Sequence, residues 1–161
     1  MEAIDVARYF VTLNDMEYKE ELSKSKVQEL LYYAQGYYLA LYGEPLFEEE
    51  IEAWKEGLVV YKVFARFKKE EVFIPAEKFR MTKKEVESIE PRKRELIRDV
   101  FDLIGQYSDW KLREKIPEFL WKSAYQEGIN NVISKECLRE YFKLYVNNNG
   151  KIHSKPCRVL G

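Results

Sequence analysis

The chain has 161 residues, of which 46% are hydrophobic and 15% aromatic, so it is large and apolar enough for one folded domain and too apolar for intrinsic disorder. Two cysteines and one histidine are too few for a disulfide framework or a zinc site, and the formal net charge is −1. No apolar run approaches the roughly 20 residues of a membrane span, and the N-terminus does not resemble a signal peptide, so we expect a cytoplasmic protein.

The charges are unevenly distributed along the chain. Residues 1–57 hold 13 acidic and 5 basic residues, whereas residues 58–161 hold 15 acidic and 22 basic residues. This asymmetry indicates either a binding surface or an attraction between the two halves of the chain.

Two helices are predicted in the acidic part of the chain. The first covers about residues 5–13, where apolar residues recur at helical spacing. The second covers about residues 25–42 and ends at the termination signals Gly43 and Pro45. Its sequence, LLYYAQGYYLALYG over residues 30–43, is apolar on nearly every face, which is typical of a helix in the centre of a domain. Glycine destabilises a helix interior, so we expect Gly36 to have a compensating role, which is to admit a close neighbouring helix. We also expect Gln28 and Gln35 to form hydrogen bonds inside the domain.

The next segments are harder to assign. FEEEIEAWKEG is interpreted as a short third helix closed by Gly57, with Glu48, Glu49 and Glu50 in its first turn, where negative charge suits the helix dipole. LVVYKVFARFKK is ambiguous, and a helix is favoured. One short extended segment is expected near residues 71–75.

The second half of the chain carries clear helix boundaries. Thr82 and Glu85 have the spacing of a capping box, Pro91 suits a first helical position, and Ser134 can cap the last helix. The helices expected after Pro91 end near residue 106 and then cover about residues 110–116, 117–126 and 135–146. The sequence thus predicts a mainly α fold, a compact single-domain helical bundle around the central helix, with the domain at 1–147 and a tail at 148–161.

A search for catalytic chemistry finds little. The acidic runs read as solvated surface, the single His153 cannot build a Ser-His-Asp or metal site alone, and no phosphate-binding glycine motif occurs. We therefore expect no enzyme activity, no metal and no cofactor.

A basic cluster leaves a nucleic-acid alternative open. Arg92, Lys93, Arg94 and Arg98 could neutralise phosphates, which would suit a phage-encoded regulator that associates with nucleic acid. Glutamates are interleaved with them, however, and the sequence pI is about 6.0. A solvated helix face is therefore the favoured interpretation, and nucleic acid is not expected as a partner.

Two segments of the chain have the sequences IDVARYFVTLN and SKVQELLYYAQGYYLALYGEPLFEEEIEAWKEGLVV. They resemble the Panacea domain of the SocA-like antitoxins, a family also described as GepA-like phage-associated proteins. The matching residues are densest in and after the central helix: Lys26, Gln28, Leu30, Leu31, Tyr32, Tyr33, Gln35, Gly36, Tyr42, Gly43, Leu46, Phe47, Glu52, Ala53, Trp54 and Gly57. Members often read Gly-Pro-Val where this chain has Gly57, Leu58 and Val59, and they usually carry a Thr-His pair that is missing from EKIPEFLW.

The resemblance implies an all-helical protein that neutralises a cognate toxin by direct binding. It also implies a cytoplasmic protease as a second partner, because at least one relative delivers its toxin to such a protease. A further implication is that the gene is carried by a phage or mobile element. An inhibitor of a host defence protein is an alternative of the same kind. We expect the partner surface to include Tyr33, Gln35, Tyr37, Trp54, Gly57 and Trp121, with burial in the core as the alternative for each ring.

Overall fold

The computed structural model describes residues 1–125, 131–146 and 152. Its helices are α1 (Ala3–Glu17), α2 (Lys24–Tyr42), α3 (Tyr61–Arg66), α4 (Ala76–Phe79), α5 (Lys83–Ser88), α6 (Pro91–Ile104), α7 (Asp109–Glu114), α8 (Glu118–Ala124) and α9 (Lys135–Phe142), the last continued by a 3-10 turn at Lys143–Tyr145. Its strands are β1 (Leu22–Ser23), β2 (Ile51–Trp54), β3 (Gly57–Val59), β4 (Phe73–Ile74) and β5 (Asn131–Ile133). The predicted mainly α fold is confirmed, with small antiparallel sheets added to it.

Helix α2 lies at the centre of the fold and is buried almost along its whole length. Ser23 caps its start, where the Oγ atom accepts a hydrogen bond from the backbone N–H of Lys26 at 3.0 Å. Gly43 ends it in the left-handed region at φ 72°, which glycine adopts without steric cost. Helices α1, α6, α7 and α9 all pack against α2, so the predicted central buried helix is confirmed.

Helix α9 approaches α2 closely at Gly36. The ring of Phe142 on α9 lies against this glycine, and a Cβ atom at position 36 would overlap the ring. Three tyrosines of α2 surround the same ring in edge-to-face contacts, at centroid distances of 5.3 Å for Tyr32, 6.1 Å for Tyr33 and 4.9 Å for Tyr37. The tyrosine-rich segment therefore forms an aromatic socket for α9. The close neighbouring helix expected at Gly36 is confirmed.

Two glutamines of α2 hold the chain that leads into and out of the small sheet. The Gln35 amide group donates to the Phe47 carbonyl oxygen and accepts from the Leu46 N–H, both at 2.8 Å. The Gln28 side chain bonds both backbone groups of Val60, accepting from its N–H at 2.8 Å and donating to its carbonyl at 3.3 Å. Both expected internal hydrogen-bonding roles are confirmed.

The predicted third helix is wrong, because FEEEIEAWKEG forms a loop and a β-hairpin. Ile51 and Ala53 point into the core and alternate with the partly exposed Glu52 and Trp54, which is the period of a strand. β2 pairs antiparallel with β3 on one side and with β5 on the other. In the sequence, Ile51 and Trp54 are three residues apart and so fit the apolar stripe of a helix. The segment is too short to distinguish the helical repeat of about 3.6 residues from the strand repeat of two.

The acidic run before the hairpin has a different role from the one predicted. Glu49 does not lie in a first helical turn; its Oε2 atom accepts a hydrogen bond from the backbone N–H of Ala3 at 2.9 Å. It therefore satisfies a free amide at the start of α1 from a distant part of the chain. Glu50 pairs with Lys135 near the start of α9 at 3.1 Å.

Most other sequence-based boundaries are confirmed. Thr82 and Glu85 form both hydrogen bonds of a capping box, Pro91 begins α6, and Ser134 caps α9. The expected extended segment is β4, which pairs with β1. The tail predicted at 148–161 lies outside the described residues except for Ile152, which bridges to Val146. No helix in the described part of the chain combines the length and apolarity needed to cross a membrane.

The variant Gly36→Ala tests the socket around Phe142. Alanine favours a helix over glycine by about 1 kcal/mol, but the added methyl group overlaps the Phe142 ring. We expect a net loss of about 1–3 kcal/mol in the free energy of unfolding, measured by urea denaturation. The double variant Gly36→Ala/Phe142→Leu should lose less than the two single changes combined, because the smaller side chain makes room. A single variant more stable than the native protein would contradict this packing.

Candidate functional site

Three of the residues expected at the partner surface are inside the domain. Tyr33, Gln35 and Tyr37 are buried, so that part of the prediction is corrected. The Tyr33 hydroxyl donates to the Leu112 carbonyl oxygen at 3.2 Å, and Gln35 holds the loop before the hairpin. These side chains build the scaffold because they lie in the middle of α2, which packs against α1, α6, α7 and α9.

The other three residues come together at the hairpin. Trp54 and Gly57 lie opposite one another at the end of the β2–β3 ladder, and Gly57 has a φ of 139°, which disfavours any residue with a side chain. The indole Nε1 of Trp121 on α8 donates to the Trp54 carbonyl oxygen at 2.6 Å. Trp121 also stacks on Tyr125, with the ring centroids 4.2 Å apart. The hairpin is thereby fixed to α8.

A groove of about 530 Å³ opens beside the hairpin, between it, the start of α2, α3 and α7. We call it the hairpin groove. Its apolar wall is built by Trp54, Leu58, Val59, Phe64, Phe67 and Ile116. Gln28, Glu29, Asp109 and Arg113 line it as polar residues. Concave, mostly apolar surfaces with a few polar groups are typical of binding sites.

An exposed group of rings, the aromatic patch, adjoins this groove and consists of Trp54, Tyr61 and Phe64. The Trp54 centroid lies 5.0 Å from that of Phe64 and 6.4 Å from that of Tyr61. Tyr61 is 55% exposed and Phe64 is 39% exposed. Tyr61 and Phe64 were not among the predicted site residues. Their exposure depends on how the chain turns from β3 into α3, and the sequence did not indicate this turn.

Glu29 is the unusual charged group of the groove. Its side chain is only 6% exposed, while the Arg113 side chain that pairs with it is 53% exposed. Arg113 Nε donates to Glu29 Oε1 at 3.4 Å, and among the described residues Glu29 Oε2 has no hydrogen-bond partner. Burial raises the pKa of Glu29 to about 8, although the nearby Arg113 charge acts in the opposite direction.

The sequence held one signal for Glu29, since it is the single carboxylate within the apolar central helix. The acidic runs were interpreted as solvated surface, and Glu29 was not singled out. Arg113, which approaches it from α7, lies 84 residues away in the chain. Only the packing of α7 on α2 brings the pair together.

The basic residues of the nucleic-acid alternative all make contacts within the domain. Arg92 pairs with Glu44 at 2.6 Å and lies over the Tyr42 ring at 4.2 Å, and Lys93 pairs with Glu90 at 3.9 Å. Arg94 donates to the carbonyl oxygens of Val86 and Glu87, and the Arg98 guanidinium lies near the Tyr9 hydroxyl. These contacts give Arg92, Lys93 and Arg94 structural roles, and nucleic-acid binding stays the alternative that the sequence did not favour.

A comparison with models of known families now adds to this geometry. The model described as "Antitoxin SocA-like, Panacea domain" matches residues 27–122. The chain belongs to this family. Searches of the curated proteins and of the solved structures gave no match.

The match extends from α2 to α8, so the part of this Panacea domain that it covers includes the hairpin groove from Gln28 to Ile116 and the aromatic patch. Helices α1 and α9 lie entirely outside it. Within the described residues, no group of three or more histidine, cysteine, aspartate or glutamate side chains is arranged to hold a metal ion.

The buried position of Glu29 predicts a pH-dependent stability. Because its pKa in the folded domain lies above the ordinary value of 4.5, the unfolded chain loses this proton first as the pH rises. Its contribution to the free energy of unfolding therefore falls as the pH rises from about 4.5 to about 8, and is constant above that. The variant Glu29→Gln should lack this fall and gain a few kcal/mol relative to the native domain over the range.

Urea unfolding of both proteins at about pH 5 and about pH 8.5 measures this difference. Glu48→Gln, which removes an exposed carboxylate outside the groove, is the matched control. A difference between the native domain and Glu29→Gln that is the same at both pH values would contradict the predicted shift.

Proposed function

We propose that this protein is an antitoxin that neutralises a cognate toxin by direct binding, with the hairpin groove and the aromatic patch as its contact surface. The observation that carries the proposal is the position of a large groove beside three clustered aromatic rings in a member of the SocA-like antitoxin family. Large aromatic side chains that lie at the edge of a pocket are the usual anchors of protein interfaces.

The rigidity of this surface supports the proposal. The two chain segments that flank the hairpin are bonded to α2 through Gln35 and Gln28, and Trp121 holds the Trp54 carbonyl from the α8 side. A contact surface that is already ordered loses little conformational entropy when a partner binds.

The charge of the groove supports a basic partner. At neutral pH its lining holds three charged carboxylates, Glu56, Glu71 and Asp109, against the two cations Lys24 and Arg113. Glu29 adds a fourth negative charge only once it loses its proton, since its pKa is about 8. Such an excess of negative charge speeds the encounter with a positively charged protein and helps to orient it.

The proposal has further parts that rest on the antitoxin family alone. Neutralisation would take place in the cytoplasm, by binding and without catalysis or a cofactor, and the gene would be carried by a phage or mobile element. Delivery of the bound toxin to a cytoplasmic protease would follow binding. Inhibition of a host defence protein would use the same surface with a different partner.

Co-expression with the protein encoded by the neighbouring gene tests the proposal. We expect that protein to stop growth when produced alone, to be harmless together with this chain, and to co-purify with it. A neighbour that is harmless alone and does not co-purify would remove the main support for the antitoxin function.

Substitution of the aromatic patch tests where the partner binds. Phe64→Ala and Tyr61→Ala should each weaken binding of the neighbour-encoded protein by about 10- to 100-fold in titration calorimetry, since each removes an exposed ring next to the groove. Phe119→Ala is the matched control, because Phe119 is 45% exposed and lies on α8 outside the groove lining. Equal losses for Phe64→Ala and Phe119→Ala would contradict this location of the surface.

A further inference from the structure

The hairpin groove contains a buried carboxylate that is only half satisfied. Glu29 Oε1 accepts from Arg113, but Oε2 is buried without a hydrogen-bond partner among the described residues. Buried polar atoms in native proteins are nearly always paired, so an unpaired one calls for an explanation. A ligand that donates to Oε2 would provide it.

The charges around Glu29 favour a cationic donor. Asp109, which also lines the groove, accepts from the Ser23 hydroxyl at 3.2 Å and from the Trp110 N–H at 2.7 Å. Lys24 is held by the Glu70 carbonyl oxygen at 2.7 Å, which leaves Arg113 as the cation closest to the carboxylate. Charge complementarity therefore selects a positively charged group over a neutral or anionic one.

Arg113 can make room for such a group. Its side chain is 53% exposed and is held by Glu29 at 3.4 Å and by the Ser25 hydroxyl at 2.9 Å. The long Nε–Oε1 contact and the exposure of Arg113 make it the more mobile partner, and an incoming guanidinium replaces its positive charge beside the buried Glu29. Arg113 is thus the displaceable partner of the pair, and Glu29 is the fixed one.

The walls of the groove suit the rest of an arginine side chain. The Phe64 and Phe67 rings and the Trp54 indole can pack against a planar guanidinium or its aliphatic stem. A volume of about 530 Å³ exceeds that of one side chain, which leaves space for apolar neighbours of the arginine.

From these contacts we infer that the hairpin groove binds a short segment of the protein partner through one arginine, whose guanidinium pairs with Glu29 while apolar neighbours pack on Trp54 and Phe64. This inference rests on the proposed function, because the segment belongs to the toxin. It adds the chemistry by which the groove recognises that toxin.

The protonation of Glu29 gives the inference a distinctive signature. The charged and titratable groups that act on Glu29 are Arg113 and Asp109 from α7, and Lys26 and Tyr33 from α2 itself. Burial raises the pKa of Glu29 to about 8 in the free domain, so a bound guanidinium that stabilises the carboxylate releases a proton. Binding should therefore strengthen as the pH rises from about 6 to about 8.

The test compares binding of the neighbour-encoded protein to the native domain, Glu29→Gln and the control Glu48→Gln. We expect Glu29→Gln to weaken binding by about 10- to 100-fold and to lose the pH dependence, while Glu48→Gln binds like the native domain. Circular dichroism and urea unfolding establish that both variants are folded. If Glu29→Gln binds as tightly as the native domain, the inference is overturned while the antitoxin function stands.

A second measurement does not depend on the neighbour. An acetylated, amidated Leu-Arg-Phe peptide and the same peptide with neutral citrulline in place of arginine are titrated into the domain and followed by NMR. We expect larger amide shifts around Glu29 and Trp54 with the arginine peptide, and no such preference in Glu29→Gln. Equal shifts with both peptides would assign the groove to an apolar segment and overturn the inference. So would a dimer of the free protein in sedimentation velocity that Glu29→Gln dissociates, since the occupant would then be a second copy.

If the neighbour-encoded protein binds none of the three proteins, the proposed function fails on its own. The peptide measurement then decides the chemistry of the groove separately: a preference for arginine that requires Glu29 supports it, and the lack of that preference overturns it.

Discussion

The burial of α2 on all sides is the constraint on which the rest of the structure depends. A helix that packs against four others has two requirements. Its neighbours need space to approach it, and its buried polar atoms need hydrogen-bond partners. Gly36 meets the first requirement by admitting the Phe142 ring. Gln28, Gln35 and the Tyr33 hydroxyl meet the second, since each bonds to backbone groups of a different segment. The tyrosines thus serve mainly to build the core around α9.

The sequence allowed the helices to be predicted where the signals are local. The Thr82–Glu85 capping box and Ser134 each determine a boundary through hydrogen bonds to a residue three positions away. Pro91 determines the start of α6 through its fixed φ and its missing N–H. The hairpin was predicted wrongly because its sheet needs β5, whose Ile133 pairs with Ile51 from 82 positions along the chain. No local pattern contains that partner, and the alternation over Ile51–Trp54 is too short to exclude a helix.

The candidate site shows the same division between local and distant information. Trp54, Gly57 and Trp121 were selected from the family resemblance, and the fold brings them together through the Trp121–Trp54 hydrogen bond. Tyr33, Gln35 and Tyr37 were expected at the same surface, but the structure places all three in the core. Glu29 and Arg113 could not be paired from sequence, since their contact arises from the packing of α7 against α2.

The two glutamines of α2 have a consequence for how such a site can diversify. Gln35 binds the chain at Leu46 and Phe47, and Gln28 binds it again at Val60, so the intervening segment is attached at both ends to the central buried helix. Changes in the length or sequence of the Lys55–Glu56 turn are then confined between two fixed points and do not propagate into the core. A domain of this design can vary its hairpin tip, which borders the proposed contact surface, while the helices beneath it stay the same.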